Sequence, residues 1–423
     1  MTNLFYKLRQ ISKTKTLRQS SVTLFGTALN GVIGVIFYIL VARMLGPREY
    51  GIFSFVTVTV ALLASIANVG TDTGVTKFVA ENWESNKPRA LRFLKAGLLL
   101  KIAGFSIVIV GGFLLTDFVA QFVLQKGELS DPFRWALIGV AGSMLFSFGC
   151  AALQSLQKFW AWSIVNVFGN SFRLIVFFLL VLGGLSPVTA AISLFVFSPF
   201  LALLVSFIYL PKFLNVSVKR SELVELFHFN KWVAATTIIV AISTRLDSLY
   251  STRFLPFEQV GYYSVAISLV GFISQIVLAL GTVAAPKFAT FKNREDAWRY
   301  FRKFELFVLG LSLIGIPTGV LISRFIVPLV YGAQYLSSIA PLNVLIVSYS
   351  VFLLSMPIHT MILYFYGNSR FFFWLSLFHI ACTAPLAWYL ISQFGIMGAA
   401  YSVMIGMIID FVIPLIYVVR KTS

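Results

Sequence analysis

Acidic residues are scarce in this sequence. Only 15 Asp and Glu stand among 423 residues, and charged residues of both signs make up 11%. Soluble globular domains carry about 25% charged residues. Folded in water, a chain of this length would form two or three domains and lack the polar surface to cover them. Cysteine is nearly absent too. Cys150 and Cys382 each lie inside an apolar run, which leaves no ligand cluster and no disulfide framework. There is no G-x-x-x-x-G-K-S/T phosphate loop and no H-E-x-x-H pair, so neither ATP hydrolysis nor zinc chemistry is expected. The polar stretches between apolar runs reach only about 20 residues, far below the size of a catalytic domain. An enzyme is therefore not expected, and no cofactor or metal site is expected.

What is present is apolar. Hydrophobic residues make up 59% of the chain, Phe alone occurs 43 times, and mean hydropathy is +0.90. A membrane-spanning helix needs about 20 mostly apolar residues. Twelve such runs are expected, at 20–41, 52–73, 96–116, 135–153, 160–182, 188–210, 232–252, 261–284, 304–323, 338–360, 371–391 and 397–418. The fold class is thus an all-α integral membrane protein. The formal charge of +18 reads as topology once the cations are placed. With the N-terminus inside, 24 of the 33 Lys and Arg fall in inner segments and six in outer ones. Lys101, Arg173 and Arg245 fall within spans. Such a bias is the positive-inside pattern, with added attraction to anionic inner-leaflet lipid, and it argues against nucleic acid as a partner.

The chain resembles itself at an offset of 210 residues. Arg43-Met-Leu-Gly-Pro-Arg-Glu-Tyr-Gly51-Ile-Phe-Ser54 aligns without gaps with Arg253-Phe-Leu-Pro-Phe-Glu-Gln-Val-Gly261-Tyr-Tyr-Ser264. Lys77-Phe78 then meets Lys287-Phe288, and Arg89 and Arg92 meet Arg299 and Arg302. At a neighbouring offset, Asp117-Phe118-Val119 meets Arg324-Phe325-Ile326. Six spans per repeat is an even number, so both halves enter the membrane in the same sense. Parallel repeats of this kind bind substrate at the repeat interface and work by rocking. The expected organisation is a basic cytoplasmic segment at 1–19, an N-lobe at 20–210, a cytoplasmic linker at 211–231, a C-lobe at 232–418 and a cytoplasmic tail at 419–423.

Charges within a bilayer cost about 2.5–3.5 kcal/mol on insertion scales, so they face a cavity or a partner. Arg173 shares one face of the fifth span with Asn166 and Asn170, at helical spacings of three and four. Arg245 and Asp247 lie in the seventh span, and Asp410 in the twelfth. Asn30 is in the first span, and Asn68 and Asp72 end the second. His359 and His379 read as packing residues of the tenth and eleventh. Bland alternatives exist for several. Asp72 can meet water at a span end, Arg43 and Arg253 can snorkel at an interface, and Asp410 can pair with a cation. Embedded arginines suit an anion, because the guanidinium fork binds phosphate through paired donors. Arg173, Arg245 and Arg43 are the expected anion ligands, and Asn30, Asn166 and Asn170 the neutral hydrogen-bonding ones. Asp72, Asp247 and Asp410 are candidates for ion coupling.

At Ala42-Arg43-Met-Leu-Gly-Pro-Arg-Glu-Tyr-Gly51-Ile-Phe-Ser-Phe55 the chain resembles the polysaccharide-transporter family. These are flippases of lipid-linked O-antigen and exopolysaccharide repeat units, in the superfamily of multidrug extruders and lipid II flippases. Asn68-Val-Gly-Thr-Asp72, Arg245-Leu-Asp247 with Val260-Gly-Tyr-Tyr263, Leu329-Val-Tyr-Gly332 with Tyr335, and Gly395-Ile-Met-Gly-Ala-Ala400 extend the resemblance over nearly the whole chain. It implies two six-helix lobes around a cavity, related by a parallel pseudo-two-fold. It also implies a multi-pass protein of the cytoplasmic membrane that carries a polyprenyl-diphosphate-linked oligosaccharide outward. The implied drive is H+, Na+ or the membrane potential. Membrane lipids, a glycan polymerase and glycosyltransferases are the implied partners. A multidrug or cation antiporter of the same fold, and a non-transporting scaffold for glycan synthesis, are the alternatives.

Overall fold

The computed structural model describes residues 15–422, with side chains from Thr23 onward except those of Trp232 and Thr422. The segment before Lys15 and the final Ser423, both assigned above to cytoplasmic ends, lie outside the described residues. Among the described residues every regular element is a helix. In chain order they are α1 (Lys15–Asn68), α2 (Thr71–Trp83), α3 (Lys87–Phe118), α4 (Ser130–Ser155), α5 (Phe159–Leu182) and α6 (Pro187–Tyr209). Then follow α7 (Arg220–Ser243), α8 (Leu246–Phe254), α9 (Phe257–Thr290), α10 (Arg294–Val330), α11 (Ile339–Thr360) and α12 (Ser369–Thr422).

Helix is the form that satisfies every backbone N–H and C=O within one segment, as a bilayer demands. The side chains agree. Leu182 is 83% exposed and Leu114 81%, a placement that suits acyl chains rather than water. Nine helices of the described residues are long and apolar enough to cross a membrane, and a bent pair within α7 makes a tenth. Two of the nine, α1 and α12, hold 54 residues each and contain one non-helical glycine, Gly46 (φ 74°) and Gly395 (φ 59°). A side chain is disfavoured at that φ, so glycine is what lets the chain break there. Each arm has the length of one span, and the expected twelve depends on counting both arms.

The chain forms two compact units. One runs to Met44 and resumes over Val56–Ile238; the other comprises Leu45–Phe55 and the chain from Ile239 onward. The first unit therefore takes the stretch 211–231 assigned above to a linker, and the second takes the repeat motif around Gly51. The segment Arg220–Lys231 is helical and docks on the first unit. Leu226 is buried with Phe78, Phe93 and Phe213. Arg92 Nε lies 2.7 Å from Glu222 Oε1, and Arg89 Nη2 2.7 Å from Glu225 Oε2. The two pairs differ in burial: Glu222 is 3% exposed and Glu225 38%.

Burial alone would raise the Glu222 carboxyl, but hydrogen bonds from Arg92, the backbone and Ser221 and the Arg92 charge hold it below the usual carboxylate range. A carboxyl depressed in the fold stabilises it above its unfolded value, and that stability is lost as pH falls through the folded value. Glu222→Gln is thus expected to lower the unfolding temperature of the purified protein at pH 7, with the difference closing below about pH 4. A difference that stays constant from pH 7 to pH 3 would exclude this role.

The second unit carries the imprint of the repeat. Ser54 Oγ and Ser264 Oγ, 210 residues apart, are 2.6 Å from each other. Arg48 and Glu258, also 210 apart, approach to 3.8 Å. A Cβ on Gly51 would stand 2.1 Å from the carbonyl oxygen of Phe257, and one on Gly261 2.0 Å from that of Pro47. Equivalent positions of the two repeats thus meet pairwise within the second unit. The glycines are there because two backbones meet.

The expected seventh span, 232–252, is interrupted. Helix α7 ends at Ser243, and Arg245 (φ −131°, ψ 3°) opens the separate α8. Its arms Arg220–Lys231 and Val233–Ser243 also bend by 46°. The sequence showed the Arg245 and Asp247 charges but not that the helix parts beside them.

Candidate functional site

Arg173 projects from the middle of α5. Its Nε donates to Ser198 Oγ on α6 at 3.0 Å, and its guanidinium lies over the rings of Phe37 (5.4 Å) and Phe195 (5.2 Å). It lines a cavity of about 170 Å³ together with Asn30, Asn166, Asn170 and Ser198. Asn170 Nδ2 donates to Asn30 Oδ1 at 2.8 Å. Asn166 Nδ2 donates to the Trp162 carbonyl at 2.8 Å. So four of the expected residues meet around one polar hollow of the first unit. The i, i+4, i+7 spacing on α5 carried three of them; Asn30 comes from α1 and needed the fold.

Accounting for donors shows what the hollow can do. An Arg side chain has five N–H donors in a fixed fork. One goes to Ser198, and among the described residues no carboxylate pairs with Arg173. An unneutralised guanidinium with spare donors beside a cavity is a seat for an oxyanion such as phosphate. Ser198 and the rings of Phe195 and Phe37 were not legible in the sequence, because nothing there marks which faces of α6 and α1 turn toward α5.

The other cations are placed differently. Arg43 is exposed on α1 and does not line this cavity. Arg245 belongs to the second unit, at the break between α7 and α8. It is partly buried, and no ion pair holds it among the described residues. Asp247, two positions on, is buried and accepts from the Tyr263 hydroxyl.

The three acids each have a partner. Asp72 lies 2.7 Å from the ammonium of Lys101, which is fully buried. Ser147 Oγ and Asn68 Nδ2 each donate to Asp72 Oδ2 at 3.0 Å. Lys101 also donates to Ser147 Oγ at 2.5 Å and to the Met144 carbonyl at 3.1 Å, so all three of its N–H groups are used. Asp410 Oδ1 is 2.9 Å from His379 Nδ1, and its carbonyl is 2.8 Å from His359 Nε2. The sequence had marked Lys101 as an in-span cation without matching it to Asp72. Neighbouring spans of opposite charge were the signal. Among the described residues no cluster of His, Cys, Asp and Glu could hold a metal ion.

Known proteins share this architecture. A multidrug resistance transporter of the MATE family and MOP superfamily, solved facing inward, superposes with a TM-score of 0.73 at 15% identity, covering 95% of this chain and 98% of that one. The lipid II flippase MurJ in an inward closed conformation gives 0.72 at 16% identity over 94% and 87%. A MOP superfamily transporter from Pyrococcus furiosus, described as having a binding pocket of reverse polarity, gives 0.59 at 16% identity over 96% and 95%. In sequence, the chain is 24% identical over 415 residues to a Shigella flexneri protein provisionally named an O-antigen transporter, covering 93% of this chain and 95% of that one. The fold is therefore that of the MATE-like transporters, all-α and multi-pass. Residues 16–292, well over half of the chain, match the family described as polysaccharide biosynthesis protein, and the chain belongs to that family.

Proposed function

We propose that this protein is a flippase for a lipid-diphosphate-linked oligosaccharide, carrying it from the cytoplasmic to the outer leaflet of the cytoplasmic membrane by alternating access. The observation that carries this reading is Arg173: a guanidinium within the membrane, without a carboxylate partner among the described residues, beside a cavity furnished with asparagines. A diphosphate would take the spare N–H donors, while asparagine amides would meet phosphate or sugar. Arg245 is a second anion ligand in this reading. Family membership supplies the glycan, and the relatives named for O-antigen transport and lipid II flipping supply the transport.

The membrane potential gives a direction. With the inside negative, outward movement of one negative charge is favoured by about 2.3 kcal/mol per 100 mV, so an anionic cargo needs no nucleotide hydrolysis. A drug or cation antiporter would be led by an available carboxylate. Asp72, Asp247 and Asp410 are each bonded to Lys101, Tyr263 and His379 respectively, which favours the anionic cargo.

A deletion strain separates the two readings. Loss of surface glycan with unchanged drug sensitivity is expected, together with lipid-linked repeat units accumulating on the cytoplasmic side. Drug hypersensitivity with normal glycan would overturn the proposal.

A further inference from the structure

One end of the second unit is strongly basic. Phe288, Phe301, Met361, Ile362 and Val418 bury against one another there, which brings the segments 285–303, 361–370 and 411–423 together. These segments carry six, one and two cations, against two acids, Glu295 and Asp296. The positive-inside pattern assigns this end to the inner leaflet.

The first unit shows how such charge is answered from within the chain. Helices α3 and α10 open on the same cap: Asn86 accepts from the Arg89 N–H, and Asn293 from that of Asp296. Six residues past each cap stand Arg92 and Arg299. Arg92 is paired with Glu222 at 2.7 Å, and Arg89 beside it with Glu225. Arg299 is exposed, and among the described residues no carboxylate lies within ion-pair distance of it. Glu295 and Asp296, one turn away, do not neutralise it.

Three segments then converge on one tyrosine. Tyr366 lies in the turn after α11 and packs on the same apolar cluster as Tyr417 of α12. The Lys421 ammonium stands 5.3 Å from the Tyr366 ring centroid and 5.4 Å from that of Tyr417. Arg294, at the start of α10, is exposed and acts on the Tyr366 hydroxyl through its charge. Neither Arg294 nor Lys421 has a carboxylate within ion-pair distance among the described residues. The Tyr366 hydroxyl is covered and has no hydrogen-bond partner, whereas a buried tyrosine hydroxyl ordinarily finds one. Burial lifts it above the usual tyrosine value, more than the Arg294 charge lowers it, so at neutral pH it is a donor. Cations and a donor meet here, and the acceptor is not supplied by the chain.

We infer that this end of the second unit binds an anionic phospholipid of the inner leaflet, its phosphate held by Arg294, Lys421 and the Tyr366 hydroxyl; the inference does not depend on the flippase reading. The non-bridging oxygens of a phosphodiester accept from the Arg294 fork and from the lysine and tyrosine. The flexible Lys421 stem turns from the ring face toward the phosphate, which uncovers the hydroxyl. A lipid fits better than a soluble anion because apolar side chains flank the cations. Ile416 and Val419 on α12 are 47% and 44% exposed, and Leu363 and Tyr364 in the turn 39% and 48%. Such a border suits a ligand whose charge sits at headgroup level and whose chains continue along the protein. Anionic lipid is also what the inner leaflet offers to basic segments.

The test uses the full-length protein in neutral detergent, with native mass spectrometry counting bound lipid. Phosphatidylglycerol is expected to be retained, and an about tenfold excess of phosphatidylcholine with the same acyl chains is not expected to displace it. Lys421→Gln and Arg294→Gln are each expected to weaken retention about tenfold, and Tyr366→Phe, which removes only the hydroxyl, about threefold or more. Arg420→Gln removes one neighbouring exposed charge that lies over neither ring, and is expected to change retention less than about twofold. Retention weakened as much by Arg420→Gln as by Lys421→Gln would overturn the site and leave general attraction to a basic surface. Unchanged retention in Tyr366→Phe, or displacement by phosphatidylcholine, would overturn it as well. Displacement by inorganic phosphate at the concentration of the lipid would assign the site to a soluble anion and overturn the lipid. Surface glycan in a deletion strain reports on the flippase reading alone, so the two proposals fail separately.

Discussion

Arg173→Ala is expected to lower surface glycan at least tenfold while the protein accumulates normally in the membrane. The size follows from the contact being lost. A hydrogen bond to a charged group contributes about 1.5–3 kcal/mol, and each 1.4 kcal/mol is a factor of ten. Arg173→Lys keeps the charge but not the planar fork, so an intermediate loss is expected. The measurement is surface glycan per unit of membrane protein in a strain carrying only the variant. The competing role for Arg173 is packing, since it sits over Phe37 and Phe195 and cation–π contacts can stabilise a fold. A packing role predicts that protein level and glycan fall together and that Arg173→Met restores both. Normal glycan from Arg173→Ala at normal level would remove this residue from the site.

Asp72→Asn is expected to have the larger effect on stability. It would leave the fully buried Lys101 ammonium facing a neutral amide. Removing one partner of a buried pair costs about 3–5 kcal/mol, because the other charge stays buried without compensation. Lys101→Met leaves a carboxylate that still accepts from Ser147 and Asn68 and is 29% exposed, so a smaller loss is expected. The double variant Asp72→Asn/Lys101→Met removes both charges and is expected to recover much of the stability. Unfolding temperatures of the four purified proteins form a cycle that reads the coupling directly. If Asp72 instead works in ion coupling, its single variant would fold normally and lose only the response of transport to pH or sodium.

The parts of this architecture that rest on local composition were legible in the sequence. Apolar runs and the 210-residue offset depend on neighbours in the chain or on counting. Asn166, Asn170 and Arg173 were legible as a face because α5 is straight between them, so helical spacing alone brings them together. What was hidden depends on which faces of distant helices meet. Asn30 and Ser198 join Arg173 across the first unit. Lys101 meets Asp72 through two helices that no periodicity relates. The break at Arg245 was hidden for another reason: a hydropathy run continues smoothly through a helix end when both sides are apolar. Glycine packing was hidden as well, because an open glycine and a closely packed one read alike in sequence. Gly315 and Gly104 differ only in what stands opposite.

The seam at Gly51 bears on how this protein could be taken apart. The segment Leu45–Phe55 comes from the first repeat in the chain but is built into the second unit, where its backbone lies against Phe257 and Gly261. A gene severed between α6 and α7 would yield a carboxy-terminal fragment missing one side of its own joint. Neither fragment alone would therefore be a faithful half. Reconstitution calls for producing both together, so that the amino-terminal piece can lend its Leu45–Phe55 segment to the other.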